Sequence, residues 1–179
     1  MLTSESQTAG TRVLHLSSAQ LARVSRALDG DEAAAAEFDS ALSSDPVRLL
    51  VEVLSTKSVP AGSGVSYGHT FVTQHPTVLA RVAIGYGHGL PRKAGNRAWV
   101  TWSAAGGPAV RLPIVGRVAM DEFVVDVGRT PVEPGQLMCV FGDSDEGEVP
   151  LGDWAAAIGE SPVSVIACLD RRVTRSVVE

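Results

Sequence analysis

Lysine is the scarcest charged residue in this chain. Of the 15 basic residues only Lys57 and Lys93 are lysines; the other 13 are arginines. Schiff-base chemistry needs a lysine amine that burial or a neighbouring charge holds at a lowered pKa. Lys57 lies in Ser55-Thr56-Lys57-Ser58, just before a Pro-Gly turn, and Lys93 in the polar loop Pro91–Asn96. Both read as exposed loop or strand-end residues, so the chain alone is a poor candidate for covalent amine catalysis. Cysteine is almost as rare. Cys139 and Cys168 sit in the apolar runs MCVF and VIACLD and read as two reduced core thiols. The net charge of -5 leaves no basic footprint for nucleic acid. No apolar run reaches the ~18 residues of a membrane span. Met1–Arg12 is polar, without the apolar stretch of a secretory leader, and a cytoplasmic location is the default expectation. A GxSxG elbow, a nucleophilic triad, internal repeats and low-complexity segments are all missing.

What is present is enough for one globular domain. The chain has 179 residues, 45% of them hydrophobic, with mean hydropathy +0.14. Residues 1–45 read as a small helical appendage. Residues 1–10 look like a tail, and Val13-Leu14-His15-Leu16 could form a strand. Ser17 or Ser18 is a plausible N-cap for a helix with Leu21, Val24 and Leu28 as its apolar stripe. Asp31-Glu32 opens a second helix, Ala33 to Leu42, on which Phe38 and Leu42 share a side. From residue 46 to 179 the texture becomes β. Runs begin at Val47, Phe71, Val78, Trp99, Val110, Phe123, Leu137, Val163 and Val173, with Gly, Pro, Asn and Asp between them. Many short strands with turn signals predict a mainly β domain, a barrel or sandwich. Asp153–Ile158 is the one short helix expected inside it.

Three blocks carry the candidate chemistry: Val65-Ser66-Tyr67-Gly68-His69-Thr70-Phe71, then Ile84-Gly85-Tyr86-Gly87-His88-Gly89, then Pro113-Ile114-Val115-Gly116-Arg117-Val118-Ala119-Met120-Asp121. In this order they resemble the signature of the alanine racemase C-terminal domain, over about residues 47–178. The family uses pyridoxal phosphate (PLP). Its cofactor lysine stands on a barrel that precedes these blocks, whereas 64 residues precede them here.

The resemblance implies roles residue by residue. Tyr67 takes the place of the tyrosine that acts as general acid and base on one face of the substrate imine. A free phenol has a pKa of ~10 and needs nearby positive charge to become a useful base. Tyr86 would shape the access to the substrate, although Gly87-His88 replaces the usual Ala-Asp. Three glycines in five residues there predict positive φ angles or close backbone approach. Arg92 falls on an often basic position of the access corridor, and a solvated loop arginine is the equal alternative. The Met120 backbone N–H would bind the substrate carboxylate, with Arg117 and Asp121 organising the corridor and the strand end. A turn-flanking ion pair is the plain reading of those last two. Arg172-Val173-Thr174-Arg175 resembles a closing R-V-x-R strand. Asp170 and Arg171 stand where a phosphate-touching tyrosine is common, which removes that contact. A zinc site of His69, His75, His88 and Asp121 is disfavoured. The histidines are separated by five and twelve residues, which fits no compact ligand pattern.

Two functions compete. In the first, the chain is half of an amino-acid racemase site, inactive alone. A PLP-barrel protein or another copy in an oligomer completes it, and a small amino acid, alanine first, is the substrate. PLP would come only with that partner. In the second, the same scaffold is a non-catalytic binding or regulatory module in cell-wall amino-acid metabolism. A truncated remnant is a third reading, against which the appended helices count.

Overall fold

The fold was read from a computed structural model that describes residues 10–105 and 107–178. β1 (Arg12–Ser17) leads into α1 (Ser18–Leu28) and α2 (Glu32–Ala41). Eight strands follow: β2 (Arg48–Val59), β3 (Gly64–Val65), β4 (Phe71–Val72), β5 (Thr77–Val82), β6 (Trp99–Trp102), β7 (Val110–Val115), β8 (Phe123–Asp126) and β9 (Leu137–Phe141). α3 (Leu151–Ile158), α4 (Pro162–Cys168) and β10 (Thr174–Val178) close the chain.

The long strand β2 organises the sheet. Along its first half Leu49, Val51 and Val53 alternate inward and are fully buried, the period-2 pattern of a half-buried strand. β2 pairs with β5 on one side and β9 on the other, and the order β2-β5-β8-β7-β6-β9 closes into a six-stranded barrel. The mainly β expectation holds, and closure makes it a barrel. β3 and β4 form a separate two-stranded ribbon beside it.

The N-terminal segment is more than a helical appendage. β1 lies between β10, to which it is parallel, and β2, to which it is antiparallel. Its hydrogen bonds tie it into the main sheet. Ser17 is the N-cap of α1, its hydroxyl accepting from Gln20 N–H at 3.0 Å. Asp31 caps α2 through Ala34 N–H, also at 3.0 Å. Of the expected stripe on α1 only Val24 is buried; Leu21 and Leu28 are exposed. Phe38 of α2 is fully buried and Leu42 packs on the same apolar cluster as the barrel core. Both helices touch α4.

α4 corrects the expectation of a strand at Val163–Leu169. The Ser161 hydroxyl accepts from Ser164 N–H at 3.2 Å, and Pro162 takes the first helical turn, where its missing N–H is harmless. Val165, Ile166 and Leu169 are buried, a spacing of one and four that suits a helix face. The helix also corrects the reading of the second cysteine. Cys139 on β9 is buried, but Cys168 at the end of α4 faces solvent. No helix among the described residues is long and apolar enough to cross a membrane.

Candidate functional site

The first and second sequence blocks both pack against the third. The first leaves β3 at Ser66, whose φ of 58° and ψ of -172° form a strained conformation for a non-glycine residue. A short 3₁₀ turn, Tyr67–His69, follows and leaves Tyr67 76% exposed. The third block leaves β7 at Gly116, with φ 75°. A side-chain carbon on Gly116 would come within 2.8 Å of Ser66 Oγ and 2.9 Å of Val65 O. The two blocks therefore touch backbone to backbone, where only glycine fits. One on Gly68 would sit 3.6 Å from the Arg117 guanidinium carbon. Arg117 thus lies against the residue after Tyr67.

The second and third blocks are joined by a seam. Tyr86 N–H donates to Ala119 O at 2.9 Å and Gly87 N–H to Met120 O at 2.8 Å. A carbon on Gly85 would fall 2.3 Å from Ala119 O, which explains one glycine of the loop by close approach rather than by φ. Gly89 has φ 89° and packs on the Cys168 carbonyl. Tyr86 is 41% and Met120 55% exposed. Among the described residues nothing accepts a hydrogen bond from the Met120 N–H. Arg92 is exposed and stacks its guanidinium 4.9 Å above the Tyr86 ring, a cation–π contact. Arg117 and Asp121 are exposed, and the structure records no ion pair between them.

Around His88 of the second block lies a charged set that the sequence reading missed. His88 is 3% exposed and its Nδ1 accepts from Gly85 N–H at 3.2 Å. Burial first, then the positive charges of Arg12 and Arg172, push its pKa down; Asp121 and Asp170 pull the other way. Arg12, from β1, donates to the Ala83 carbonyl. Arg172 donates to the Gly87 carbonyl and, through Nε at 2.9 Å, to Asp170. The Arg172 backbone N–H, which donates to Asp170 Oδ1 at 2.8 Å, and then its Nε hold the Asp170 carboxyl below its ordinary range. Asp170 N–H in turn donates to His88 O at 3.0 Å. Arg12 lies 109 positions before Asp121 in the chain, so no local signal links them. Only the insertion of β1 into the sheet brings them together. His69 and His75 are exposed, while His88 is buried.

The alanine racemase C-terminal domain profile matches residues 47–177. The chain belongs to the alanine racemase family. The alanine racemase of Salinispora arenicola is 45% identical over 125 residues, covering 69% of this chain and 32% of that protein. The one from Salinispora tropica is 49% identical over 107 residues, 60% of this chain and 27% of that protein. The alanine racemase structure from Streptomyces coelicolor superposes with a TM-score of 0.68 at 37% identity, covering 74% of this chain and 33% of that one. That from the D-cycloserine producing Streptomyces lavendulae gives 0.67 at 38%, covering 74% and 34%. The chain thus spans about a third of the length of the curated relatives it matches.

The family implies PLP, and the side chains here do not fit it as a covalent cofactor of this chain. Lys57 is an exposed residue of β2, paired across from Leu79. Lys93 is exposed and bridges to Glu160 at 2.6 Å. Both amines face solvent.

Proposed function

We propose that this chain forms one half of an amino-acid racemase site. It is silent alone and is completed by a barrel that carries PLP and its lysine. Alanine is the first substrate to test, since the curated relatives are alanine racemases. The observation that carries the reading is that Tyr67, Tyr86 and Met120 are all exposed on segments packed against one another, with the Met120 N–H uncommitted among the described residues. In this arrangement Tyr67 holds or delivers the proton at the substrate's Cα on the side it covers. The Met120 amide receives the substrate carboxylate. The bond from Tyr86 N–H to the Ala119 carbonyl holds the peptide unit that carries this N–H, so no reorganisation accompanies binding. Arg92, Arg117 and Asp121 line the approach with charge of both signs, suited to a zwitterion. The setting is cytoplasmic D-alanine metabolism, and the assembly is an oligomer or a complex with the barrel protein.

The test begins with the purified chain, PLP and L-alanine. Neither racemisation nor a visible imine band is expected. A band abolished by Lys57→Ala or Lys93→Ala would overturn the claim that this chain lacks the cofactor amine. Co-purification from the native cell should then recover a barrel protein, and the mixture should racemise alanine. Within it Tyr67→Phe should cut conversion in the L-to-D direction by about 10²-fold or more. Unchanged conversion would remove Tyr67 from the reaction.

A further inference from the structure

Asn96 stands between the first and third blocks and bonds to both. Its Oδ1 accepts from Gly116 N–H at 2.6 Å, and its Nδ2 donates to Thr70 Oγ1 at 3.1 Å. Its own N–H donates to Ile114 O at 3.1 Å. Gly116 is the residue before Arg117; Thr70 closes the turn that begins at Tyr67. Asn96 itself has φ 60°, a left-handed conformation that asparagine tolerates better than most residues. The backbone before it is pressed in place, because a carbon on Gly95 would lie 2.4 Å from Gly116 O. Ser66 and His69, with φ 58° and 46°, put two further strained residues around Tyr67. Such conformations persist only where the surroundings fix them, and among the described residues the Asn96 amide hydrogen-bonds to both segments.

We infer that Asn96 is a positioning residue that sets the spacing between Tyr67 and the Arg117–Asp121 loop that joins β7 to β8. It touches no reacting atom. One amide, with an acceptor and a donor on a planar group of fixed length, acts as a spacer between two loops that share no covalent link. A one-ångström error in such a spacing lowers a rate by on the order of 10²-fold. The catalytic meaning of the spacer rests on the racemase reading; the spacer itself does not.

The experiment measures distance directly. Spin labels are placed by Tyr67→Cys and Asp121→Cys in a Cys168→Ser background, with the buried Cys139 left in place. Pulsed electron resonance then reads the distance distribution in the full chain. The expected result is a single narrow distribution. It broadens with Asn96→Gly, which keeps the left-handed φ but removes the amide. It broadens also with Thr70→Val, which keeps shape but removes the hydroxyl acceptor. Thr70→Ser should restore the narrow distribution. Thr70 is exposed, so these variants fold if the parent does, as circular dichroism will verify. A distribution equally narrow in Asn96→Gly and Thr70→Val overturns the inference. With the barrel protein present, the same two variants at native Tyr67 and Asp121 should lower kcat by about 10-fold or more, with KM little changed. Broadening without any racemisation would uphold the spacer and reject the racemase reading. Racemisation insensitive to both variants would uphold the racemase reading and reject the catalytic meaning of the spacer.

Discussion

Gly87 donates its N–H to the carbonyl of Met120 at 2.8 Å. Through this bond and its neighbour from Tyr86 to Ala119, two loops more than thirty residues apart act as one rigid surface. The seam requires the loop to lie flat on the Ala119–Met120 backbone, and this sets the glycines.

Gly85→Ala should therefore damage the seam. The new methyl would meet the Ala119 and Met120 carbonyls at 2.3 and 2.4 Å, and both are backbone atoms. Overpacking of this kind costs about 1–3 kcal/mol. The denaturant midpoint should fall accordingly, and amide exchange at Tyr86 and Gly87 should accelerate. Exchange at those two amides as slow as in the parent would show that the seam does not depend on Gly85.

The helical pair is predicted to be part of the fold's stability. Phe38 is fully buried, in the same apolar cluster as the barrel core. Phe38→Ala should cost about 3–5 kcal/mol, the usual loss for a buried aromatic side chain. The whole chain should unfold earlier in one transition. A separate early transition that leaves the barrel midpoint unmoved would mean that the helices are stabilised independently of it.

Stability should depend on the protonation of His88. The groups that face it are Arg12 from β1, Asp121 from the third block, and Asp170 and Arg172 from the link between α4 and β10. Its pKa is pushed below the ordinary 6.5, chiefly by burial. Below that value the unfolded chain binds a proton that the folded chain refuses, so stability rises with pH there. The His88 contribution is complete above the ordinary value and is lost as pH falls towards the depressed one. His88→Asn keeps an acceptor within reach of Gly85 N–H but cannot titrate. Between about pH 7 and about pH 5 the parent should lose more stability than this variant. Parallel stability curves would exclude His88 as the cause.

Much of this was legible in the residues, for identifiable reasons. The β-rich run that opens β2, the cap at Ser17 and the acidic opening of α2 at Asp31-Glu32 are local, and local rules found them. The order of the three short motifs carried the family resemblance, and that resemblance is the source of the roles proposed for Tyr67, Tyr86 and Met120. α4 was misread because Val163, Val165 and Ile166 are β-branched, and burial outweighed their strand preference. The Ser161-Pro162 start was the signal that would have found it.

The sequence by itself determined a β-rich domain, the family signature and the shortage of amines. Each depends on residue type and near-neighbour spacing, which a linear reading contains. Tertiary structure alone decided that β1 enters the sheet and sets Arg12 beside Asp121 and His88. It decided that Arg172 reaches back to Gly87, and that Asn96 holds Thr70 and Gly116 at one length. These contacts join segments through sheet register and packing, and no local spacing rule encodes a distance that only barrel closure creates.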